Sequence, residues 1–146
     1  MIKKIWLFLF LFLTLLTCSG HSQGLNQVEI FDLEKGKVIK TVPVSQVTQN
    51  EAEKYLKGIN RIYVKLNPIP KKGHMIKIPL EPQVLVKNQW MESYVNEIII
   101  VFPIKEQPYL MLFDDENNSH FLYFEGDTKA LLNYLHSDPN GQAISQ

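Results

Sequence analysis

The chain has 146 residues, with 15 lysines and arginines against 15 aspartates and glutamates, four histidines and a single cysteine. A formally neutral chain has little to offer nucleic acid, whose affinity for proteins comes largely from phosphate neutralisation, and no strong overall attraction to anionic lipid. One cysteine allows no internal disulfide, so the fold must stand on its own core, which a chain of this length can supply.

Lys3 and Lys4 precede an uninterrupted apolar block from Ile5 to Leu13, continued past Thr14 by Leu15 and Leu16, and then come Thr17, Cys18, Ser19 and Gly20. A basic end, a short apolar block and small residues in that order predict a secretory signal peptide. As a helix, Ile5 to Leu16 would span about 18 Å at ~1.5 Å per residue, well short of a ~30 Å bilayer core. An uncleaved membrane anchor is therefore the second reading, and a buried core helix the third. The stretch Leu15-Leu16-Thr17-Cys18 resembles the processing site of bacterial lipoprotein precursors, with Leu15 three places before the cysteine and Thr17 where Gly, Ala or Ser is usual. The resemblance implies cleavage before Cys18, a lipid attached to Cys18, and a protein held on the extracytoplasmic face of the cell membrane. The alternative for the same residues is an ordinary signal peptide cut near Gly20 or Ser22, which discards Cys18 and releases a secreted protein.

This reading divides the chain into a signal peptide (1–17), an anchor and tether (18–27), one domain (28–136) and a disordered tail (137–146). Losing 1–17 leaves 129 residues with 13 basic and 15 acidic side chains, a formal charge of −2. Membrane association is then expected from the anchor and not from a basic face.

Val28 to Leu33 and Val38 to Val42 are β-rich runs around a Gly36 turn, which predicts a hairpin. Thr48 to about Lys57 predicts a helix, with Thr48 and Glu51 as a capping box, Ala52, Tyr55, Leu56 and Ile59 on one apolar face, and Gly58 at its end. Arg61 to Leu66 alternates, so a strand is expected with Ile62, Val64 and Leu66 buried and Arg61, Tyr63 and Lys65 wet. Asn67 to Gly73 is a loop. Met75 to Val86 is extended, but Pro79 and Pro82 cannot donate ladder hydrogen bonds, which predicts an edge strand or two short strands joined by a bend. Lys87 to Ser93 is a polar turn. Tyr94 to Phe102, Tyr109 to Phe113 and Phe121 to Phe124 are apolar enough to be central strands covered on both faces, linked as hairpins by Pro103 to Gln107 and Asp114 to Ser119. Asp127 caps a second helix through about Leu135. The expected fold is α+β, a mainly antiparallel sheet of about five to seven strands with two helices packed on it.

Motifs with chemistry are scarce. Asp114-Asp115-Glu116-Asn117-Asn118 has Ser119 rather than Gly at the sixth position of a calcium loop, and reads as a hairpin turn. His21, His74, His120 and His136 have no zinc-ligand spacing, Met75, Met91 and Met111 are too dispersed for copper, and no phosphate-cradling or serine-nucleophile motif occurs. No cofactor, metal or catalytic residue is assigned. Two features read as binding surface: Trp90 with Tyr94 near a turn, and Tyr63 beside Arg61 and Lys65, since aromatics next to Arg are frequent in recognition sites. The expected function is a non-catalytic binding or accessory module, with the membrane and a protein or envelope component as partners. The alternatives are a hydrolase acting on envelope material through a site assembled only by folding, and an interaction protein using its proline-marked edge.

Overall fold

A computed structural model describes residues 26–137. Seven antiparallel strands form one sheet in the order β2-β1-β4-β5-β6-β7-β3, with two helices. The strands are β1 (Gln27–Asp32), β2 (Lys37–Pro43), β3 (Ile59–Ile62), β4 (Gly73–Lys87), β5 (Glu92–Pro103), β6 (Tyr109–Phe113) and β7 (Ser119–Phe124). The helices are α1 (Gln46–Lys57) and α2 (Lys129–Ser137). This is the α+β architecture expected from the pattern, and the signal peptide, Cys18 and most of the tail lie outside the described residues.

The β1–β2 hairpin turns at Gly36, whose φ of +62° is open to glycine at no steric cost, and Asp32 holds the turn by accepting from the Lys35 amide at 3.0 Å. Both helices lie on one face. Ala52, Tyr55 and Leu56 of α1 and Leu131 and Leu135 of α2 join Ile30, Ile76, Ile78, Ile98, Ile100, Leu110 and Leu122 in the main core. Asp127 Oδ1 accepts from the Lys129 amide at 2.9 Å and so starts α2 as expected.

Helix α1 begins earlier than its sequence suggested. Ser45, not Thr48, is the cap: its Oγ accepts from the Thr48 amide at 3.3 Å, while Thr48 Oγ1 accepts from the Ser45 amide at 3.0 Å. Ser45 is the first cap-competent residue after β2 and already has extended geometry (φ −136°, ψ 167°), so the chain turns into helix there. Glu51 is thereby free for another partner set, accepting from Lys54 Nζ and the Tyr55 hydroxyl at 2.7 Å each. Burial would raise the Glu51 carboxyl, but those two donors outweigh it and hold it below its usual range.

Two strands differ from expectation in ways that matter for the surface. Strand β4 is one long strand, not two fragments; its first half lies inside the sheet, and its outer half, which carries the prolines, is an edge as expected. Its first half pairs β1 through 74–77, and Pro79 and Pro82 stand beyond that stretch, where only β5 is alongside and the register breaks between Pro79 and Val84. The missing amides thus fall where no neighbour asks for them. Strand β3 is shorter, and no buried side runs through 61–66: Ile62 is 46% exposed, Val64 84% and Leu66 fully where burial was expected, Arg61 and Lys65 are exposed as expected, and Tyr63 alone is buried, at 7%. After Ile62 the chain leaves the sheet and crosses its helix-free face to reach β4, so period-two alternation stops applying at the residue where it was to be read.

Candidate functional site on the aromatic face of the sheet

The face away from the helices is built in rows. One row runs through Val38, Phe31, Met75, Val101 and Tyr109, each pair in register across its ladder. The next runs through Thr41, Glu29, Lys77, Ile99, Met111 and Phe121. A second, smaller core forms here from Tyr63, Val101, Tyr109 and Met111, with Met75, Ile99, Phe113, Phe121 and Tyr123 packed around it. Residues 63–72, lying between β3 and β4, act as a strap over this core in place of a helix.

Aromatic geometry fastens the strap. Tyr63 stacks on Tyr109 with ring centroids 3.9 Å apart and planes at 15°, and meets the Tyr123 ring edge-on at 5.2 Å. The Tyr109 hydroxyl donates to the Pro68 carbonyl, and the Lys65 ammonium pairs with Glu106 while also lying 5.7 Å from the Tyr63 ring centre. Burial, together with the neighbouring Tyr63 hydroxyl and Glu106, pushes the Tyr109 phenol well above its usual range, so it stays a neutral donor. Glu106 raises the Lys65 ammonium in turn. The Arg61 guanidinium lies 4.2 Å from the Tyr123 ring centre, at the open end of the aromatic series.

The four predicted surface residues are thus only partly brought together. Tyr63 is buried where exposure was expected, because its ring is the strap's main contact with the sheet. Arg61 is exposed and sits on Tyr123. Trp90 is half-buried and packs against the main core from the β4–β5 turn, where Asn88 Oδ1 accepts from its backbone amide at 2.8 Å. Tyr94 is 51% exposed beside Leu85, its cross-strand neighbour, and stands apart from the other three. One cleft of about 240 Å³ does join Trp90 and Tyr63, together with Ile62 and residues 119–122. A second, of about 320 Å³, runs between α1 and the outer half of β4, lined by Leu56, Lys57, Ile59 and Val84 to Asn88. Both are at or below the small end of ligand cavities, which run from about 300 Å³ upward.

Sequence reasoning missed three participants. Tyr109 and Tyr123 were legible only as apolar strand residues, and Glu106 as part of a linking turn. It also missed that His120 pairs with Asp114, Nε2 to Oδ2 at 2.9 Å, on the rim of the smaller cleft. Asp114 has other duties: it accepts from the Glu116 and Asn118 amides at 3.0 and 2.8 Å and so closes the β6–β7 turn, where Asn117 has a φ of +65°. His120 first, and then the Asn118 amide, lower the Asp114 carboxyl to about 2. The expected turn reading of 114–118 is what the structure shows.

Among the described residues no group of three His, Cys, Asp or Glu side chains is placed to hold a metal ion, and no helix is long and apolar enough to cross a membrane. No known family's model matches the chain, and no curated protein or solved structure matches it either.

Proposed function

We propose that this chain is a lipoprotein, held through Cys18 on the extracytoplasmic face of the cell membrane, whose domain is a binding or accessory module rather than a catalyst. The observation that carries the anchor is the order Lys3-Lys4, apolar 5–16, Leu15-Leu16-Thr17-Cys18, with Cys18 the sole cysteine of the chain. What supports a binding role is the second face of the sheet. What it leaves accessible is Arg61, lying over the Tyr123 ring, and the smaller cleft lined by Trp90, Ile62 and 119–122, whereas Tyr63 and Tyr109 are buried beneath the strap. Tryptophan and arginine are among the residues that most often anchor interfaces. The His120–Asp114 pair has its carboxylate committed to a turn, and among the described residues no hydroxyl is hydrogen-bonded to His120. Cys18→Ser should abolish labelling by a fatty-acid analogue in producing cells and move the protein from the membrane to the soluble fraction. Unchanged labelling would sink the proposal.

A further inference from the structure

Three loops at one end of the sheet carry a surface that net charge conceals. The β1–β2 turn, the strap, the β5–β6 turn and the start of β4 meet there: Lys72 pairs with Glu34 at 2.9 Å, Leu33 donates to the Gly73 carbonyl at 3.0 Å, and Lys65 pairs with Glu106. Val64, Leu66, Ile69 and Ile104 are exposed in these loops, with Leu66 fully in solvent and Ile104 63% exposed. Around them stand six lysines, at 35, 37, 65, 71, 72 and 105, against three acids, Asp32, Glu34 and Glu106. Each acid is already matched by a lysine, and Lys37, Lys71 and Lys105 have no carboxylate partner among the described residues. The β7–α2 loop at this same end adds Glu125 and Asp127, with Lys129 beside the latter, and the opposite end carries Glu81, Asp114, Asp115 and Glu116 together with the Lys87–Glu92 pair. The lysines of these loops that lack a carboxylate partner thus stand at one end of a neutral protein, while the lysine at the other end, Lys87, is paired.

Resting on the reading of Cys18 as a membrane attachment, we infer that this lysine-ringed apolar end docks on an anionic phospholipid bilayer. Isolated apolar side chains on loop tips suit a deformable acyl boundary better than a preformed pocket, and the flanking lysines match the negative headgroups through which such tips must pass. Neither component is strong alone; an anchor that already confines the domain to the surface lets weak contacts count. Reach allows it: the nine residues from Cys18 to Asn26 span at most about 30 Å, while β1, whose first residue is at the far end, is only about 20 Å long. The tether can thus run back beside the sheet and bring the basic end to the bilayer.

The test uses the full chain joined through the Cys18 thiol to a maleimide-bearing lipid in the vesicle, so that the confinement the proposal assumes is in place, with a polarity-sensitive fluorophore on an azide-bearing residue substituted for Leu66 or, as a control at the opposite end, for Gln89 in the β4–β5 turn. On vesicles of phosphatidylglycerol and phosphatidylcholine in equal parts, the Leu66 probe should shift to the blue with a severalfold rise in emission, and the Gln89 probe should not. The response should fall on pure phosphatidylcholine, in high salt, and in Lys71→Glu/Lys105→Glu. A water-like Leu66 spectrum on every vesicle, an equal shift at Gln89, or a shift that appears on raising protein concentration without vesicles would each overturn the inference, the last by assigning the patch to a second copy. Fatty-acid labelling at Cys18 is read separately in cells, so a silent Leu66 probe with intact labelling refutes the docking alone, while lost labelling refutes the anchor.

Discussion

Truncating Tyr63 tests whether the strap is a true second layer. Tyr63→Ala removes a ring that is 7% exposed, its stack on Tyr109 at 3.9 Å and its edge contact with Tyr123 at 5.2 Å. Large aromatic truncations in cores cost about 3–5 kcal/mol, and a well-placed aromatic pair contributes about 0.5–1.5 kcal/mol of that beyond buried area. The strap can settle partway into the space because its neighbours Val64 and Lys65 are exposed, which places the expected loss near the lower bound, about 3 kcal/mol. Tyr63→Phe keeps the stack and gives up only a 3.5 Å contact to Glu106, too long to be worth more than about 0.5 kcal/mol. Equilibrium urea denaturation followed by far-ultraviolet circular dichroism measures both. A Tyr63→Ala loss under about 1 kcal/mol, or equal losses for the two variants, would refute the claim that ring packing holds the strap.

Two further predictions concern the sheet's ends. The Asp114 carboxyl lies at about 2 in the fold against an ordinary value of 3.8, so its ionised form contributes stability that is fully present above pH 4 and is lost as pH falls toward 2. The melting-temperature gap between the parent protein and Asp114→Asn, measured by calorimetry, should narrow over that window, and a gap independent of pH would contradict the assignment. Gly58 is needed for close approach: a Cβ there would lie 2.2 Å from the Glu125 carbonyl oxygen, across a backbone where Glu125 donates to Gly58 at 2.8 Å. Gly58→Ala should cost about 2 kcal/mol and several degrees of melting temperature, because backbone and not a mobile side chain has to move.

How much of this was legible in the sequence depends on the range of the information required. The hairpin at Gly36, the turn at 114–118 and the cap at Asp127 are set by residues a few positions apart, and each appears where the local chemistry places it. Ser45 and Thr48 are both competent caps, and choosing between them requires knowing where β2 ends. The burial of Tyr63 and the exposure of Ile62, Val64 and Leu66 were out of reach, since what buries Tyr63 is Tyr109, far along the chain. The interior position of β4's first half was hidden for a related reason: the prolines mark 79–82 as an edge, which it is, but say nothing about 74–77. Arg61 and Tyr63 read in the sequence as an exposed pair; in the fold Tyr63 is buried between Tyr109 and Tyr123, and only Arg61, on the Tyr123 ring, stays exposed. The gathering of lysines is invisible to a count that sums to zero, because it arises only when three separate loops arrive at one end.

The strap also decides how each side of the sheet is covered. Its fastenings join parts of the chain 41 residues apart, as between Pro68 and Tyr109, about the range of the β1–β4 pairing on which the helix-side core is built. One side of the sheet is closed by two helices with their own backbone hydrogen bonds, the other by an irregular segment. Release of that segment would bare Tyr109 and Tyr123 while β1, β4 and the helices keep their own contacts.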